Sequence, residues 1–176
     1  PGTSRPVRQR PHNFRRQPDG SYVLLAGRLH FPQELISRFG LSNVEDQASL
    51  YAALHAKLGS DCDRRIAGDY AVVQWWPDQR TVRLARSPTA DVPLHLMRDG
   101  TRLVVCSLPG PILALGHQPR IDDTRAGTWL MCGWAVPGQS FYEGMTCLVR
   151  GTEQIHDLSG HKEQSFWSLR DVPDVR

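Results

Sequence analysis

The residues of this chain best suited to chemistry are its four cysteines, Cys62, Cys106, Cys132 and Cys147. They lie far apart inside apolar segments, and no two form a C-x-x-C pair, so their spacing does not indicate a zinc site. Free cysteine is among the most buried residue types, and free thiols are typical of a reducing compartment. We therefore predict buried free thiols in a cytoplasmic protein, and one disulfide pair stays an alternative.

The histidine and serine spacings do not indicate a metal site or a triad hydrolase. The seven histidines show neither H-x-x-x-H nor H-E-x-x-H spacing. Asp91, His95 and Ser107 are the residue types of a catalytic triad, but no G-x-S-x-G turn surrounds the serine. Gly68 and Gly100 are isolated and do not form a phosphate loop. We predict no metal and no cofactor in this chain.

Length and composition predict one globular domain with a basic lead-in. The chain has 176 residues, and none of its apolar runs reaches the roughly 18 residues of a membrane span. Residues 1–18 hold five arginines and no acid, which gives them a net charge of +5. The whole chain has a net charge of +3, so the remaining residues have a net charge of −2. Interspersed prolines favour a flexible arm over residues 1–20 and disfavour a nucleic-acid or membrane partner. A stand-alone binding module using this arm on an anionic partner stays an alternative.

The elements that must position the candidate residues begin with a hairpin between residues 66 and 94. Its arms are rich in β-branched and aromatic residues and flank a turn at Pro77–Arg80. A short strand from Tyr22 ends at Gly27. Two later hairpins are predicted over residues 93–107 and 153–169, and a short strand over 145–149.

Helices are predicted between these groups of strands. Pro32–Phe39 begins with a proline and stops at Gly40. The next helix carries leucines at helical spacing to Leu58, with Asn43 as its N-cap and Asp46 in its first turn. Tight turns between strands, with helices inserted between them, predict an α+β fold of mainly antiparallel sheets with helices on their outer faces. Further helices are predicted over residues 62–66, 111–115 and 124–132.

Several short motifs, in their order along the chain, resemble one family. They are the strand to Gly27, the Ile66–Ala71 segment, Leu84-Ala85-Arg86, Pro93-Leu94, Val105-Cys106-Ser107 and Phe141-Tyr142-Glu143-Gly144-Met145. This order resembles the N-terminal glutaminase-type domain of the asparagine synthetase family. The resemblance implies the α-β-β-α sandwich of N-terminal-nucleophile hydrolases over residues 21–170, with a linker beginning at 171–176.

The resemblance implies glutamine hydrolysis by an N-terminal cysteine whose own α-amine is the base. The first cysteine here is Cys62, inside a predicted helix, and that mechanism does not transfer to it. The family's Asn-Gly-Glu segment reads Ala26-Gly27-Arg28, so the amide donor is lost and a cation replaces the carboxylate. We interpret Gly27, Arg28, Asp46 and Arg86 as a vestigial amide-binding pocket. Asp46 is equally explained as a partner of its helix dipole.

The loop after Arg86 also departs from the family pattern. The R-D-x-x-G-x-x-P-L motif keeps Arg86, Pro93 and Leu94, but Ser87 and Ala90 replace its Asp and Gly. These losses resemble synthetase relatives that need no ammonia, closest to the isopeptide cyclases of lasso peptides. The hypothesis is a non-catalytic domain that supports an ATP-dependent amide synthetase domain and its peptide substrate. The alternative is a truncated, active glutaminase domain.

The adenylating half implied by the resemblance is not in this sequence. Its S-G-G-x-D-S loop has no counterpart, since Leu158-Ser159-Gly160-His161 is better interpreted as a turn. ATP and Mg²⁺ are therefore implied for a C-terminal synthetase domain, in the same chain or in a separate one. Residues 171–174 resemble an interdomain linker, which favours the same chain. A homodimer is left open.

Overall fold

The computed structural model describes residues 13–100, 102–116, 119–134 and 136–171. Nine strands and five α-helices lie in these ranges. The strands are β1 (Phe14–Arg16), β2 (Tyr22–Leu29), β3 (Gly68–Trp76), β4 (Thr81–Arg86), β5 (His95–Asp99), β6 (Arg102–Cys106), β7 (Met145–Cys147), β8 (Thr152–Asp157) and β9 (Gly160–Ser165). The helices are α1 (Pro32–Phe39), α2 (Gln47–Leu58), α3 (Cys62–Arg65), α4 (Pro109–Ala114) and α5 (Asp123–Cys132).

The strands form two antiparallel sheets of unequal width. The large sheet has the order β1-β2-β3-β4-β8-β9, and the small sheet has the order β6-β5-β7. Every strand pair in both sheets is antiparallel. Consecutive strands pair as β3–β4, β5–β6 and β8–β9, which confirms the three predicted hairpins, but the last hairpin ends at Ser165 and not at residue 169.

Alternation along the strands of the large sheet separates two apolar cores. One core lies between this sheet and helices α1 and α2, and it includes Val23, Leu25, Tyr51, Leu54, Val72 and Ala85. The other lies between the two sheets and includes Ala71, Leu84, Leu94, Leu96 and Leu148. Helix α4 packs against β6 of the small sheet. The predicted α-β-β-α layering is therefore confirmed.

Two further predicted boundaries are wrong. Strand β2 does not end at Gly27 but continues to Leu29, because its backbone keeps pairing with β3 through Gly68. The N-cap of α2 is Asp46 rather than Asn43. The Asp46 carboxylate accepts from the Ser49 amide, and the Ser49 hydroxyl accepts from the Asp46 amide, so the two residues form a reciprocal cap.

The folded domain begins before the predicted boundary at residue 20. Phe14–Arg16 pairs with β2, and the Phe14 ring stacks on Tyr22, which in turn stacks on Trp75. Arg15 points to the other face and forms ion pairs with Glu45 and Asp46. These contacts make the last arginines of the basic segment part of the sheet. Residues 1–12, and the predicted linker residues 172–176, lie outside the described residues.

Two further predictions concern the burial of the cysteines and the absence of a membrane span. All four cysteines are free. Cys62 is buried as predicted, Cys106 and Cys147 are half-buried, and Cys132 is exposed at the end of α5, so the prediction of burial is confirmed in full only for Cys62. None of the helices in the described ranges is both long and apolar enough to cross a membrane.

Candidate functional site

The predicted site residues Gly27 and Arg28 lie near the end of β2. Gly27 has a φ of 102°, and a Cβ added there would lie 2.0 Å from the Asp69 carbonyl oxygen. Only glycine fits between the strands at this point. Arg28 is exposed and is the cross-strand partner of Asp69. A cation therefore stands where the family resemblance implied a glutamine-binding carboxylate.

The carboxylate of Asp46 is already occupied by groups of the protein. Its Oδ1 accepts from the Ser49 amide at 2.8 Å, and its Oδ2 accepts from Arg15 Nε at 2.6 Å. Burial alone would raise the pKa of Asp46, but the hydrogen bonds from Ser49 and the Arg15 guanidinium together hold it below its ordinary value. Asp46 therefore acts as a helix cap and ion-pair partner. This agrees with its interpretation as a partner of the helix dipole rather than as part of an amide-binding pocket.

We expect Asp46→Ala to lower the free energy of unfolding by about 1 kcal/mol at pH 7, the usual contribution of an N-cap. Because the folded-state pKa of Asp46 lies below the unfolded value, its contribution is present above the unfolded pKa. It is lost as the pH falls through the folded-state pKa. Urea denaturation across this range measures both effects. Asp61→Ala is the matched control, since Asp61 precedes α3 without a side-chain capping bond. Equal losses in both variants would contradict the capping role.

Arg86, at the end of β4, is held by backbone carbonyl groups and is only 8% exposed. Its Nη1 donates to the Leu148 carbonyl at 2.9 Å, and its Nη2 donates to the Ala90 carbonyl at 3.1 Å. Nη1 also lies 3.8 Å from Cys147 Sγ. Burial lowers the pKa of Arg86. The Arg86 guanidinium thus connects the loop that follows β4 to the residue that follows β7.

The loop after Arg86 is fixed against the start of β3. The Ser87 hydroxyl accepts from the Tyr70 amide at 3.1 Å, and the Thr89 hydroxyl donates to the Gly68 carbonyl at 2.8 Å. The Asp91 amide donates to Asp69 Oδ1 at 2.9 Å. Ser87 and Ala90, the two departures from the family motif, are both buried. They serve the packing of the loop.

Three of the four predicted site residues lie at one end of the large sheet. Arg28 pairs with Asp69, and Arg86 pairs with Ala71 two residues along the same strand, so both side chains are on the face toward the small sheet. Gly27 precedes Arg28 in β2. Asp46 lies on the helix-bearing side, where Gln47 Oε1 accepts from the Leu29 amide at 2.6 Å. Asp46 is therefore near the end of β2 but on the other face.

A buried polar cluster between α2 and the large sheet was not predicted. Its centre is Arg83, with ion pairs to Asp63 and to Glu153, the latter at 2.6 Å. Arg83 Nη1 also donates to the Tyr51 hydroxyl at 2.8 Å and to Gln74 Oε1 at 2.9 Å. The hydroxyls of Tyr51 and Tyr70 donate to Asp63 at 2.9 Å and 2.6 Å. We call these residues, Tyr51, Asp63, Tyr70, Gln74, Arg83 and Glu153, the Arg83 cluster.

The protonation states of the Arg83 cluster follow from its burial. Burial alone would lower the pKa of Arg83, but Tyr51, Asp63 and Glu153 outweigh it and raise that pKa. Burial, and then Asp63, raises the pKa of Tyr51, so its hydroxyl keeps its proton and can donate. His55, stacked on Tyr51, has its pKa lowered to about 4 by burial and is neutral at pH 7. The cluster is a closed structural network.

Comparison with models of known protein families shows the family of this chain. A model of the glutamine amidotransferase domain matches residues 24–114, half of the chain. The chain belongs to this glutamine amidotransferase domain family. No curated protein matches it. Within the described ranges, no group of three or more His, Cys, Asp or Glu side chains of this amidotransferase domain could hold a metal ion.

Solved structures support the fold of the amidotransferase domain. It is similar to the allosteric regulatory enzyme of purine biosynthesis, with a TM-score of 0.59, and to the glutamine phosphoribosylpyrophosphate amidotransferase from B. subtilis complexed with ADP and GMP, with a TM-score of 0.56. Each is 16% identical and covers 88% of this chain. The chain covers 30% and 31% of their lengths, less than a third. This likeness confirms the predicted N-terminal-nucleophile type of sandwich.

Proposed function

We propose that this chain is a non-catalytic, glutaminase-like domain of an ATP-dependent amide or isopeptide synthetase related to asparagine synthetase. Its closest functional type is the cyclase of lasso peptides. The domain would support the synthetase domain and contribute to binding its peptide substrate. ATP and Mg²⁺ would bind in that synthetase domain, outside the present sequence.

The observation that carries this proposal is the position of Arg28. Glutamine is a zwitterion, and the family resemblance implies a carboxylate in this segment that binds it. Arg28 instead presents a cation on the face that Arg86 shares. Ala26, two residues earlier, has no side-chain amide to donate to an oxyanion. A pocket with these substitutions favours loss of glutamine chemistry while the scaffold is kept.

The hydrogen bonds of Arg86 support the same proposal. Its Nη1 and Nη2 both donate to backbone carbonyl groups, and its Nε is buried with no hydrogen-bond partner in the described part of the chain. Asp46 is likewise occupied by Ser49 and Arg15. Two of the three charged residues of the proposed vestigial pocket, Asp46 and Arg86, therefore serve the fold.

We expect L-glutamine not to bind this domain. Isothermal titration calorimetry of the full-length parent protein with L-glutamine is the test, and it should detect no binding at concentrations up to about 1 mM, the upper end of usual KM values. Arg28→Glu is an informative variant, because it returns a carboxylate to the pocket. Binding of glutamine by the unmodified protein with a Kd well below about 1 mM would contradict the proposal.

A second candidate is an active glutaminase domain whose nucleophile lies in a part of the protein outside this sequence. One observation favours it. The three-stranded sheet covers only part of the six-stranded sheet, and Phe14, Leu24 and Trp75 are 51%, 48% and 45% exposed on the facing side. Further strands carrying the nucleophile could cover these side chains. An upstream open reading frame that starts Met-Cys would support this candidate and contradict the first.

A further inference from the structure

A second pocket lies between the sheets, on the side of β7, β8 and β9. It is a cavity of about 490 Å³, within the range of small-molecule sites. Leu96, Leu103 and Val149 supply part of its apolar lining, and Arg98, His156 and Glu163 supply polar groups. The register pairs His156 with Val82 and Thr152 with Arg86, so the polar end lies away from the Arg86 loop.

The polar groups of this pocket form one directed chain of hydrogen bonds. Arg98 Nη2 lies 3.4 Å from His156 Nδ1, and His156 Nε2 lies 3.0 Å from Gln154 Oε1. The Gln154 amide donates to Glu163 Oε2 at 2.6 Å. A guanidinium can only donate, so Nδ1 of His156 is the acceptor and Nε2 carries the proton. His161 stacks on this imidazole, with ring centroids 5.2 Å apart.

The chain of hydrogen bonds leaves the positive charge of Arg98 unneutralised. Burial, and then His161 and Arg98, lower the pKa of His156 to about 4, so this imidazole is neutral at pH 7. Arg98 has no ion pair with any carboxylate of the described residues. The acid among the lining residues, Glu163, is exposed and accepts a hydrogen bond from Gln154. The pocket thus presents the exposed guanidinium of Arg98, held by His156, beside its apolar lining.

We propose that this pocket binds a small organic carboxylate with an apolar body. Arg98 binds the carboxylate, since a guanidinium pairs with it through two parallel N–H groups. His156 holds the guanidinium in place. Leu96, Leu103 and Val149 contact the apolar body. The site goes beyond the proposed function, and it involves neither glutamine nor the vestigial pocket.

Two matched probes test the ligand class. We expect 4-phenylbutyrate to bind the chain in calorimetry, and 4-phenylbutanamide, which lacks the charge, to bind at least about tenfold more weakly. Inorganic phosphate, a charge without an apolar body, should also bind at least about tenfold more weakly. Equal binding of the neutral amide, or phosphate binding as tight as that of the carboxylate, would overturn the proposal.

Two substitutions with opposite expected effects on carboxylate binding test the roles of Arg98 and Glu163. Arg98→Gln should weaken 4-phenylbutyrate binding at least about tenfold, whereas Glu163→Gln should strengthen it severalfold by removing the acid of the lining. Arg65→Gln, an exposed arginine on α3, is the control and should leave binding unchanged. Unchanged binding in Arg98→Gln would overturn the proposal, as would weaker binding in Glu163→Gln. None of these results depends on glutamine binding, so the two proposals fail separately.

Discussion

Arg83→Leu is expected to lower the free energy of unfolding by about 3–5 kcal/mol, the cost of leaving buried charges without their partner. The substitution leaves the carboxylates of Asp63 and Glu153 in the core between α2 and the large sheet with no cation beside them. It also removes the donors to Tyr51 and Gln74. Urea denaturation at pH 7, followed by far-UV circular dichroism, measures the change.

The control for Arg83→Leu is Arg64→Leu, because Arg64 is exposed on the short helix α3. It should change stability by no more than about 0.5 kcal/mol. Replacing Glu153 by Gln in the Arg83→Leu background should restore part of the loss, because it removes one of the stranded charges. A loss in Arg83→Leu no larger than in the control would show that the Arg83 cluster contributes little to stability.

Gly27→Ala is expected to destabilise the fold by about 3 kcal/mol, from backbone strain together with overpacking. The new Cβ would lie 2.0 Å from the Asp69 carbonyl oxygen, which is backbone and cannot rotate away. The φ of 102° is also unfavourable for any residue with a side chain. Relief requires β2 to move from β3 where Gly27 pairs with Tyr70. The same urea denaturation measures the loss.

Gly127→Ala is the matched control, since Gly127 lies inside α5 and an added Cβ would meet nothing within 4 Å. It should stabilise the chain by about 0.5–1 kcal/mol, the usual preference for alanine within a helix. The two glycine variants are thus expected to have opposite signs. Destabilisation of similar size in both would contradict the special role of position 27.

The fold could be predicted because local signals agreed with tertiary packing. The turn at Pro77–Arg80 and the alternating arms on either side specified the central hairpin, and Gly40 marked the end of α1. The wrong cap of α2 had a physical cause. Asn43 has a φ of 58° and lies before the helix, and the reciprocal bonds of Asp46 and Ser49 outcompeted it. The D-x-x-S spacing was visible in the sequence.

The Arg83 cluster and the carboxylate pocket could not be predicted because they combine residues far apart in sequence. Gln74 and Arg83 interrupt the apolar arms of the central hairpin, and polar residues within apolar strands were an unused signal. Arg98 and His156 come from strands of different sheets. Only the packing of the two sheets brings their side chains together. The vestigial pocket rested instead on family resemblance, which could not indicate that Asp46 and Arg86 are occupied by the protein itself.

Release of glutamate and ammonia from L-glutamine by the full-length parent protein, supplied with ATP and Mg²⁺, is the most direct test of the central claim. We expect glutamate formation no faster than in a control without protein, because the proposed vestigial pocket carries the cation Arg28 and its Arg86 donates to backbone carbonyl groups. Steady glutamate formation at about 1 s⁻¹ or faster, within the usual range of enzyme turnover, would contradict the claim and assign this domain to the active glutaminases.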